Sequence, residues 1–495
     1  MKNGKFNGAT TASSPLSVPL AAGVIPQDSS LFSGPQLIAT LLLSLGVGSH
    51  AVNGLISNAV LPSLIRDLGG QERAFWVFSL FQIASILSST TAGILKSHWG
   101  AKYLFIAGAI LLALGSIFAG TADNLGQVLL GRTLQGLGEG FIVAMCYAVI
   151  PDLFPKELVA KVFALLAGIW AIAAAVAPVS AGLLTQFWSW RAAYIFNLPL
   201  TGLLLLMAVF VMPNTKVIGE LNGKRKGLIM LPRLFMLAFA VLLITSVGEA
   251  RSTTQGFILL ALGLFTLAAT RIWDRNSENS FIPKEAFSFN TPVGLAMWVI
   301  LIASLSGSAR VLFANSIIQS TWGLNVLSAS YLVATLAFSW SFMAWLTSKV
   351  QSPKHQYSLI VLGKTLNTLG IGMLAAALWM NSLAILTAGL IISGLGYGMS
   401  NHFLSKQMMF ASSEKERDKA SGFIPTMMSS GIAIGGALSS LLALATGMLS
   451  NETSELITKE AALEQGPTLF LIMAGIAVIS VLFAGKLAVL GRRSA

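Results

Sequence analysis

Three polar side chains interrupt an apolar segment that is otherwise long enough to cross a lipid bilayer. The sequence GRTLQGLGEG places Arg132, Gln135 and Glu139 inside the segment 125–150. At 3.6 residues per turn they share one helix face, with Glu139 about 10 Å along the helix axis from Arg132. Because a charge in hydrocarbon is energetically expensive, this face should contact protein or water rather than lipid.

Proton transfer is the chemistry that Glu139 offers. Loss of hydration disfavours the charged carboxylate and favours uptake of a proton, so we interpret Glu139 as a carrier of coupling protons. The alternative is a protonated or hydrogen-bonded structural residue among glycines. Arg132 belongs to the same predicted proton-coupling site, where it would bind an anionic group, tune the acid, or brace the first helix through backbone carbonyls. A direct bond between the two is not expected, because both side chains lean toward the N-terminus of their helix.

Further polar residues in apolar segments are candidates for a substrate cavity. His50, Asn53 and Ser57 follow the i, i+3, i+7 spacing of one helix face. The alternative for the histidine is a hydrogen bond to a neighbouring helix, and the alternative for Arg310 is a head group that reaches the membrane surface. The other candidates for the cavity are Gln135, Arg310, Tyr397, Asn401 and His402.

The composition is that of an integral membrane protein. The chain has 495 residues, of which 55% are hydrophobic and 10% charged, with a mean hydropathy of +0.77; about a quarter of an ordinary soluble domain is charged. The single cysteine, Cys146, excludes a disulfide within the chain. The four histidines lack metal-ligand spacing. We therefore expect no metal and no other cofactor.

Enzyme motifs are not supported by their context. Gly363-Lys364-Thr365 resembles the end of a phosphate-binding loop, but Ser358 stands at the first glycine position and the segment enters a membrane span. The glycine clusters GLGEG and GLGYG lie within helices rather than after strands. An enzyme is not expected.

Runs of about 20 apolar residues predict fourteen membrane-spanning helices. The first six core spans are predicted at 36–61, 74–95, 102–121, 126–149, 162–187 and 193–212. Two linker spans follow at 228–248 and 255–272. The last six core spans are predicted at 292–319, 327–348, 358–380, 383–406, 422–447 and 468–490.

The basic residues predict the orientation of the chain in the membrane. Most of the 31 Lys and Arg residues, Lys364 among them, are assigned to segments on the side of the N-terminus. Positive segments stay cytoplasmic, so both termini are predicted to be cytoplasmic. Positive loops that face anionic lipid headgroups account for the net charge of +12, and nucleic acid is not expected as a partner.

An internal repeat predicts the domain organisation. GLGEG at 136–140 and GLGYG at 394–398 are 258 residues apart, each in the fourth span of its half, and the same offset relates Lys161 to Lys419. Such repeats are typical of transporters with a binding site between the halves, although glycine also allows helices to approach closely. The predicted units are a disordered cytoplasmic tail, an N-terminal bundle, a linker with two spans and a C-terminal bundle, at 1–35, 36–213, 214–290 and 291–495.

These motifs resemble the major facilitator superfamily, in particular its 14-helix drug:proton antiporters. Arg132, Gln135 and the glycines after it fit the R-x-x-Q-G-x-G pattern of the fourth helix. The sequence WSWRAAYIFNLP is similar to the W-R-x-x-F-x-I-N-x-P entrance to the sixth helix. Gly168, Pro178 and Gly182 resemble the antiporter motif of the fifth. The resemblance implies two six-helix bundles with two inserted linker helices, and proton coupling in the fourth helix.

Two departures bear on the source of the coupling proton. Ser97 and His98 replace the acidic residue and the arginine that the family has between its second and third helices. Asn53 stands where the resemblance expects an aspartate. Since Asn53 cannot titrate, Glu139 is the only carboxylate that we place deep in a core span.

The sequence therefore predicts a secondary active, proton-coupled exporter that works by alternating access. Its expected substrate is a small organic amphiphile such as a drug, a siderophore-like metabolite or a lipid. Arg132 and Arg310 outnumber Glu139 among the deep charges, which favours an anionic or zwitterionic substrate. We expect a monomer in a bacterial inner membrane. The alternatives are an importer or uniporter with weak proton coupling, and a non-transporting membrane receptor or scaffold.

Overall fold

The computed structural model describes residues 30–69, 74–212, 223–250, 252–277, 280–324, 326–412, 414–449 and 457–494. These residues form helices joined by short turns, and no strand occurs among them. The predicted all-α membrane fold is confirmed. Of the predicted tail, residues 1–29 lie outside the described part of the chain.

Eight helices of the described residues make up the N-terminal bundle. Their bounds are α1 Gly34–Leu68, α2 Ala74–Trp99, α3 Ala101–Gly120, α4 Leu125–Ala148, α5 Ile150–Leu153, α6 Lys156–Phe187, α7 Trp190–Ile195 and α8 Asn197–Val211. The Asn124 side chain accepts the backbone N–H of Gln127 and caps the start of α4. Helices α7 and α8 together form one span, Trp190–Val211.

The linker and the C-terminal bundle follow. The linker helices are α9 Gly223–Thr245, a short 3-10 helix Ser246–Glu249 and α10 Thr253–Arg275. The C-terminal bundle consists of α11 Pro292–Trp322, α12 Val326–Thr347, α13 Pro353–Trp379, α14 Leu383–Ala411, α15 Glu414–Ala445 and α16 Lys459–Ser494.

Twelve helices in the described residues are long and apolar enough to cross a membrane. The two predicted spans that fall short are α4 and α9. Polar residues lower the hydropathy of α4, although it packs along both α2 and α3. In α9 and the 3-10 helix after it, the described side chains form a shorter apolar stretch, Pro232–Gly248. The membrane fold is thus established with twelve clear spans, and the total of fourteen stays a prediction.

One end of the molecule carries the basic residues at which α2 ends and α6 begins. Lys96 of α2 donates to the carbonyl of Ala148 at 3.1 Å and to the carboxylate of Asp152 at 3.0 Å. Lys156 begins α6 close by. We call this the basic end.

The two bundles share a hydrophobic core at the basic end. That core joins Met145 and Phe163 of the N-terminal bundle to Phe403 and Ile424 of the C-terminal bundle. At the opposite end the described residues form two separate cores, one within each bundle. The bundles therefore share a core at the basic end, whereas each core described at the opposite end belongs to one bundle.

Glycines bring the third and fourth spans of each bundle into backbone contact. A Cβ on Gly108 of α3 would lie 2.8 Å from the carbonyl oxygen of Gly138 in α4. In the C-terminal bundle, a Cβ on Gly363 of α13 would lie 2.6 Å from the carbonyl oxygen of Gly396 in α14. Gly138 and Gly396 belong to the two repeated glycine motifs. The repeat therefore places the same close helix contact in both bundles.

A buried ion pair fixes the linker helices. Arg233 of α9 donates to Asp274 of α10 at 2.7 Å, and both side chains are buried. Asp274 also accepts the backbone N–H groups of Phe281 and Ile282, just before α11. Both linker helices pack against α15. The pair thus ties α9 and α10 to the start of the C-terminal bundle.

We expect Gly138→Ala to destabilise the protein by about 1–3 kcal/mol, because the added Cβ would force α3 and α4 apart. The measurement is the thermal unfolding temperature of the purified protein in detergent. The matched control is Gly372→Ala, since a Cβ at Gly372 would meet no atom within 4 Å. Equal melting temperatures for the two variants would contradict the close-contact account.

Candidate functional site

The Glu139 carboxylate lies in a polar cluster formed by α1, α4 and α8. Its Oε2 is 2.6 Å from Nδ1 of His50, and its Oε1 accepts a hydrogen bond from the Asn53 amide. The side-chain oxygen Oδ1 of Asn53 in turn accepts a hydrogen bond from the side-chain amide of Asn197 at 3.0 Å. Helix α1 thus supplies two direct partners of the acid, and α8 supports one of them. We call these four side chains the acid cluster.

Exposure differs sharply within the acid cluster. The side chain of His50 is 22% exposed, whereas that of Glu139 is 1% exposed. The His50 ring lies between Phe81, at 6.4 Å between ring centroids, and Trp170, at 5.9 Å. A hydrogen bond between an imidazole nitrogen and a carboxylate needs one proton, carried by either group. His50 is therefore the solvent-accessible member of a pair that can exchange protons.

Arg132 forms its hydrogen bonds with groups other than Glu139. Its Nε donates to the carbonyl of Val77 in α2 at 3.1 Å, and another guanidinium nitrogen donates to Gln135 at 2.8 Å. The guanidinium also stacks on Phe81 at 4.1 Å. No hydrogen bond joins Arg132 to Glu139 in the described part of the chain. The carbonyl that Arg132 braces belongs to the second span, whereas bracing of the first span was one of the predicted alternatives.

A second polar cluster lies in the C-terminal bundle. Arg310 of α11 donates to the side chains of Asn367 in α13 and Ser393 in α14. Its guanidinium lies 5.5 Å from the ring of Tyr397, which is 258 residues after Glu139 in the repeat. The side chain of Arg310 is 6% exposed, so it does not reach the membrane surface, which was the alternative prediction.

Lys364 completes this second cluster, and the sequence analysis assigned it wrongly. We counted Lys364 with the segments on the side of the N-terminus, but its side chain is fully buried within α13. Its ammonium donates to the side-chain oxygen Oδ1 of Asn401 at 2.7 Å and lies 4.7 Å from the centroid of the Tyr397 ring. Two features of the sequence could have indicated its buried position. Lys364 lies inside a predicted span, and it has the i, i+3 spacing to Asn367. We call Arg310, Lys364 and Tyr397 the cation cluster.

A small cavity lies between the two bundles. Aromatic and apolar side chains from both bundles line it, among them Phe163, Trp170 and Trp340. Asn401 and His402 also line the cavity, and His402 lies 3.4 Å from the hydroxyl of Thr347. Trp170 connects this cavity to His50 of the acid cluster, and Asn401 connects it to the cation cluster. The acid cluster and the cation cluster thus lie behind opposite walls of this cavity, one in each bundle.

The remaining predicted site residues lie in α1, α4 and α6. Gln135 donates to Ser116 of α3 and has Arg132 as its own donor. A Cβ on Gly168 would meet nothing within 4 Å. Ser57 lies within α1, and Pro178 and Gly182 lie within α6, but their side chains are outside the described residues.

The tryptophan–arginine motif before the sixth span serves as a structural connection. The Trp190 indole donates to Asp67 at the end of α1 at 3.0 Å, and Arg191 donates to the same oxygen at 2.7 Å. Both hydrogen bonds hold the pKa of the Asp67 carboxyl below its ordinary value. The motif therefore joins α7 to α1 at the end opposite the basic end.

Two interfaces close the basic end. Ser89 of α2 and Thr426 of α15 have their hydroxyl oxygens 2.9 Å apart. The hydroxyl of Ser341 in α12 donates to the carbonyl of Ala167 in α6 at 2.5 Å. Gly93 allows α2 to approach α15 closely, since a Cβ there would lie 2.9 Å from the Cα of Lys419. Both interfaces join one bundle to the other.

Comparison with known proteins identifies the class. The profile of the Major Facilitator Superfamily matches residues 42–403, so the chain belongs to this family of membrane transporters, as its motifs predicted. A probable multidrug-efflux transporter of Mycobacterium tuberculosis is 24% identical over 378 residues, which cover 75% of this chain and 79% of that protein. The multidrug efflux pump SdrM of Staphylococcus aureus is 20% identical over 449 residues, which cover 90% and 95%.

A solved structure supports the fold. The human organic anion transporter MFSD10 (TETRAN) is similar with a TM-score of 0.64 at 12% sequence identity, and the match covers 91% of this chain and all of that one. At this identity the likeness concerns the fold alone. Groups of three or more His, Cys, Asp or Glu side chains that could hold a metal ion do not occur among the described residues.

We expect a cysteine pair at Ser89→Cys and Thr426→Cys to form a disulfide under mild oxidation in a Cys146→Ser background, because the replaced hydroxyls are nearly in bonding range. A protease site introduced at 213–222 reports the bond, since the two cleaved parts stay together on a non-reducing gel. The control pair is Leu125→Cys with Leu386→Cys, whose parent residues belong to the separate cores of the opposite end. Equal cross-linking of the two pairs would contradict the closed basic end.

Proposed function

We propose that the protein is a secondary active transporter that exports small organic amphiphiles in exchange for protons. The observation that carries this proposal is the buried Glu139 carboxylate, bonded to His50 and Asn53 beside a cavity between the two bundles. A carboxyl group without a function at this depth would be costly to keep. A group that takes up and releases one proton per cycle fits this position.

His50 provides the path by which a proton reaches the acid. The imidazole is the more exposed partner and lies 2.6 Å from Oε2 of Glu139. A proton from water binds Nε2 of the imidazole, and the proton on Nδ1 crosses the hydrogen bond to the carboxylate, which leaves a neutral imidazole. The Asn53 amide donates to Oε1 whether or not the acid is protonated, and therefore fixes its orientation.

Alternating access follows from the way the bundles are joined. The positive charge of the basic end predicts that it is cytoplasmic, and we propose that the joined interfaces at Ser89–Thr426 and Ser341–Ala167 belong to an outward-open conformation. An exporter releases its substrate and takes up its proton in this state. The efflux function named for the relatives in Mycobacterium and Staphylococcus supports this direction. We further propose that the transporter acts as a monomer in a bacterial inner membrane.

The first test is proton-driven flux in liposomes with purified protein. A panel of fluorescent amphiphiles, including rhodamine 123 and fluorescein, is offered with and without an imposed pH gradient. We expect Glu139→Gln to abolish accumulation against the concentration gradient and to keep passive exchange, because the amide retains shape but carries no proton. Glu157→Gln, at an exposed site in the first turn of α6, is the matched control and should accumulate dye like the wild type.

Three other outcomes would contradict this proposal. Unchanged accumulation by Glu139→Gln removes Glu139 as the proton carrier. Flux that never responds to the pH gradient indicates the importer or uniporter alternative. No flux of any panel member indicates a receptor or scaffold.

His50 gives an independent prediction. We expect His50→Asn to lower gradient-driven flux by about tenfold or more, because the amide can still bond to Glu139 but relays no proton. Exchange without a pH gradient should stay near the wild-type rate. The control is His355→Asn, at an exposed position at the start of α13. A wild-type rate and pH profile in His50→Asn would exclude the relay.

A further inference from the structure

The cation cluster holds two buried basic side chains, and no acidic side chain bonds to either of them within the described part of the chain. The side chain of Lys364 is fully buried and that of Arg310 is 6% exposed. Their hydrogen-bond acceptors among the described residues are the neutral side chains of Asn367, Ser393 and Asn401. Both cations also face the ring of Tyr397, at 5.5 Å and 4.7 Å from its centroid.

This arrangement is electrostatically incomplete. Like charges repel in a medium of low dielectric constant, and each buried charge has lost its hydration. Neutral amides and an aromatic face compensate only part of that loss. A negative group placed between the cations would satisfy both of them.

Free hydrogen-bond donors point to the same conclusion. Nε of Arg310 and Nδ2 of Asn367 are buried and have no acceptor. The Lys364 ammonium has three donors, of which one is directed at Asn401. Unsatisfied buried donors are rare in proteins. The oxygens of a carboxylate, sulfonate or phosphate group are acceptors that these donors lack.

The cation cluster adjoins the small cavity between the two bundles. Asn401 lines the cavity and accepts from Lys364. Trp340 lines it too, and its ring packs edge-on against Tyr397 at 5.4 Å. Phe163 and Trp170 form the apolar wall on the other side. An amphiphile with one acidic group matches this division between polar and aromatic walls.

We infer that Arg310 and Lys364 bind the anionic group of the transported substrate, which is therefore an organic anion with an aromatic or aliphatic body. This inference rests on the proposed transport function and names its substrate class. The acid cluster, in the N-terminal bundle, then binds and releases the proton. The cation cluster, in the C-terminal bundle, binds the substrate.

The test compares two dyes that share a three-ring skeleton and differ in charge, fluorescein as the anion and rhodamine 123 as the cation. Binding to the purified full-length protein in detergent is measured by fluorescence anisotropy, without a pH gradient. We expect the wild type to bind fluorescein at least about tenfold more tightly than rhodamine 123. Arg310→Gln and Lys364→Gln should each weaken fluorescein binding by about tenfold or more.

Controls separate lost binding from lost folding. Lys354→Gln removes an exposed positive charge at the start of α13 and should leave fluorescein binding unchanged. Each variant is compared with the wild type in gel filtration and melting temperature. For a variant that does not fold, Arg310→Lys or Lys364→Arg takes its place and should retain the preference for fluorescein over rhodamine 123.

Several results would overturn the inference. They are an absence of fluorescein binding, an equal or stronger binding of rhodamine 123, and fluorescein affinities unchanged in both cation variants. A fourth result concerns chloride, compared with gluconate at equal ionic strength. Chloride would raise the melting temperature of the wild type but not of the Arg310 and Lys364 variants, and it would not compete with fluorescein. The cluster would then hold a structural inorganic ion.

The Glu139→Gln variant distinguishes this inference from the transport proposal. It should bind fluorescein like the wild type, because Glu139 lies behind the opposite wall of the cavity. Binding that depends on Arg310 and Lys364, without any proton-driven flux, would support the anion site and contradict proton-coupled export. Proton-driven flux of rhodamine 123 without flux of fluorescein would support proton-coupled export and contradict the anion site.

Discussion

The hydrogen bonds that hold the Glu139 carboxylate inside the membrane are the interactions on which the rest of the structure depends. An acid at this depth is tolerated only with partners, and His50 and Asn53 of α1 supply them. Their position requires α1 to pack beside α4, and Asn197 of α8 fixes Asn53 in turn. The acid cluster therefore links three helices of the N-terminal bundle.

Close helix packing makes these buried polar clusters possible. In both bundles, glycines of the third and fourth spans bring backbones into contact, at Gly108–Gly138 and at Gly363–Gly396. That contact allows polar side chains on the fourth span to face the interior rather than lipid. The same scaffold then carries opposite chemistry, because the repeat places Tyr397, between two cations, where the other bundle has Glu139.

The sequence predicted the family, the all-helical membrane fold and the polar face of α4, because periodicity and motif spacing are local properties. It did not predict which side chains bond to Glu139, since contacts between α1 and α4 depend on packing over about ninety residues. Lys364 was missed because a charge a few residues inside a span was assigned to the adjoining loop. The polar residues of α4 also lower its hydropathy, so the helix that carries Glu139 is one of the two predicted spans outside the twelve clear ones.

The central claim is that Glu139 binds and releases a proton inside the folded protein. Infrared difference spectra of the purified wild type, taken between mildly acidic and mildly alkaline pH, test this directly against Glu139→Gln. The account predicts a carbonyl band of a protonated carboxylic acid that is lost at alkaline pH in the wild type and is absent from the variant. Identical difference spectra for the two proteins would contradict it.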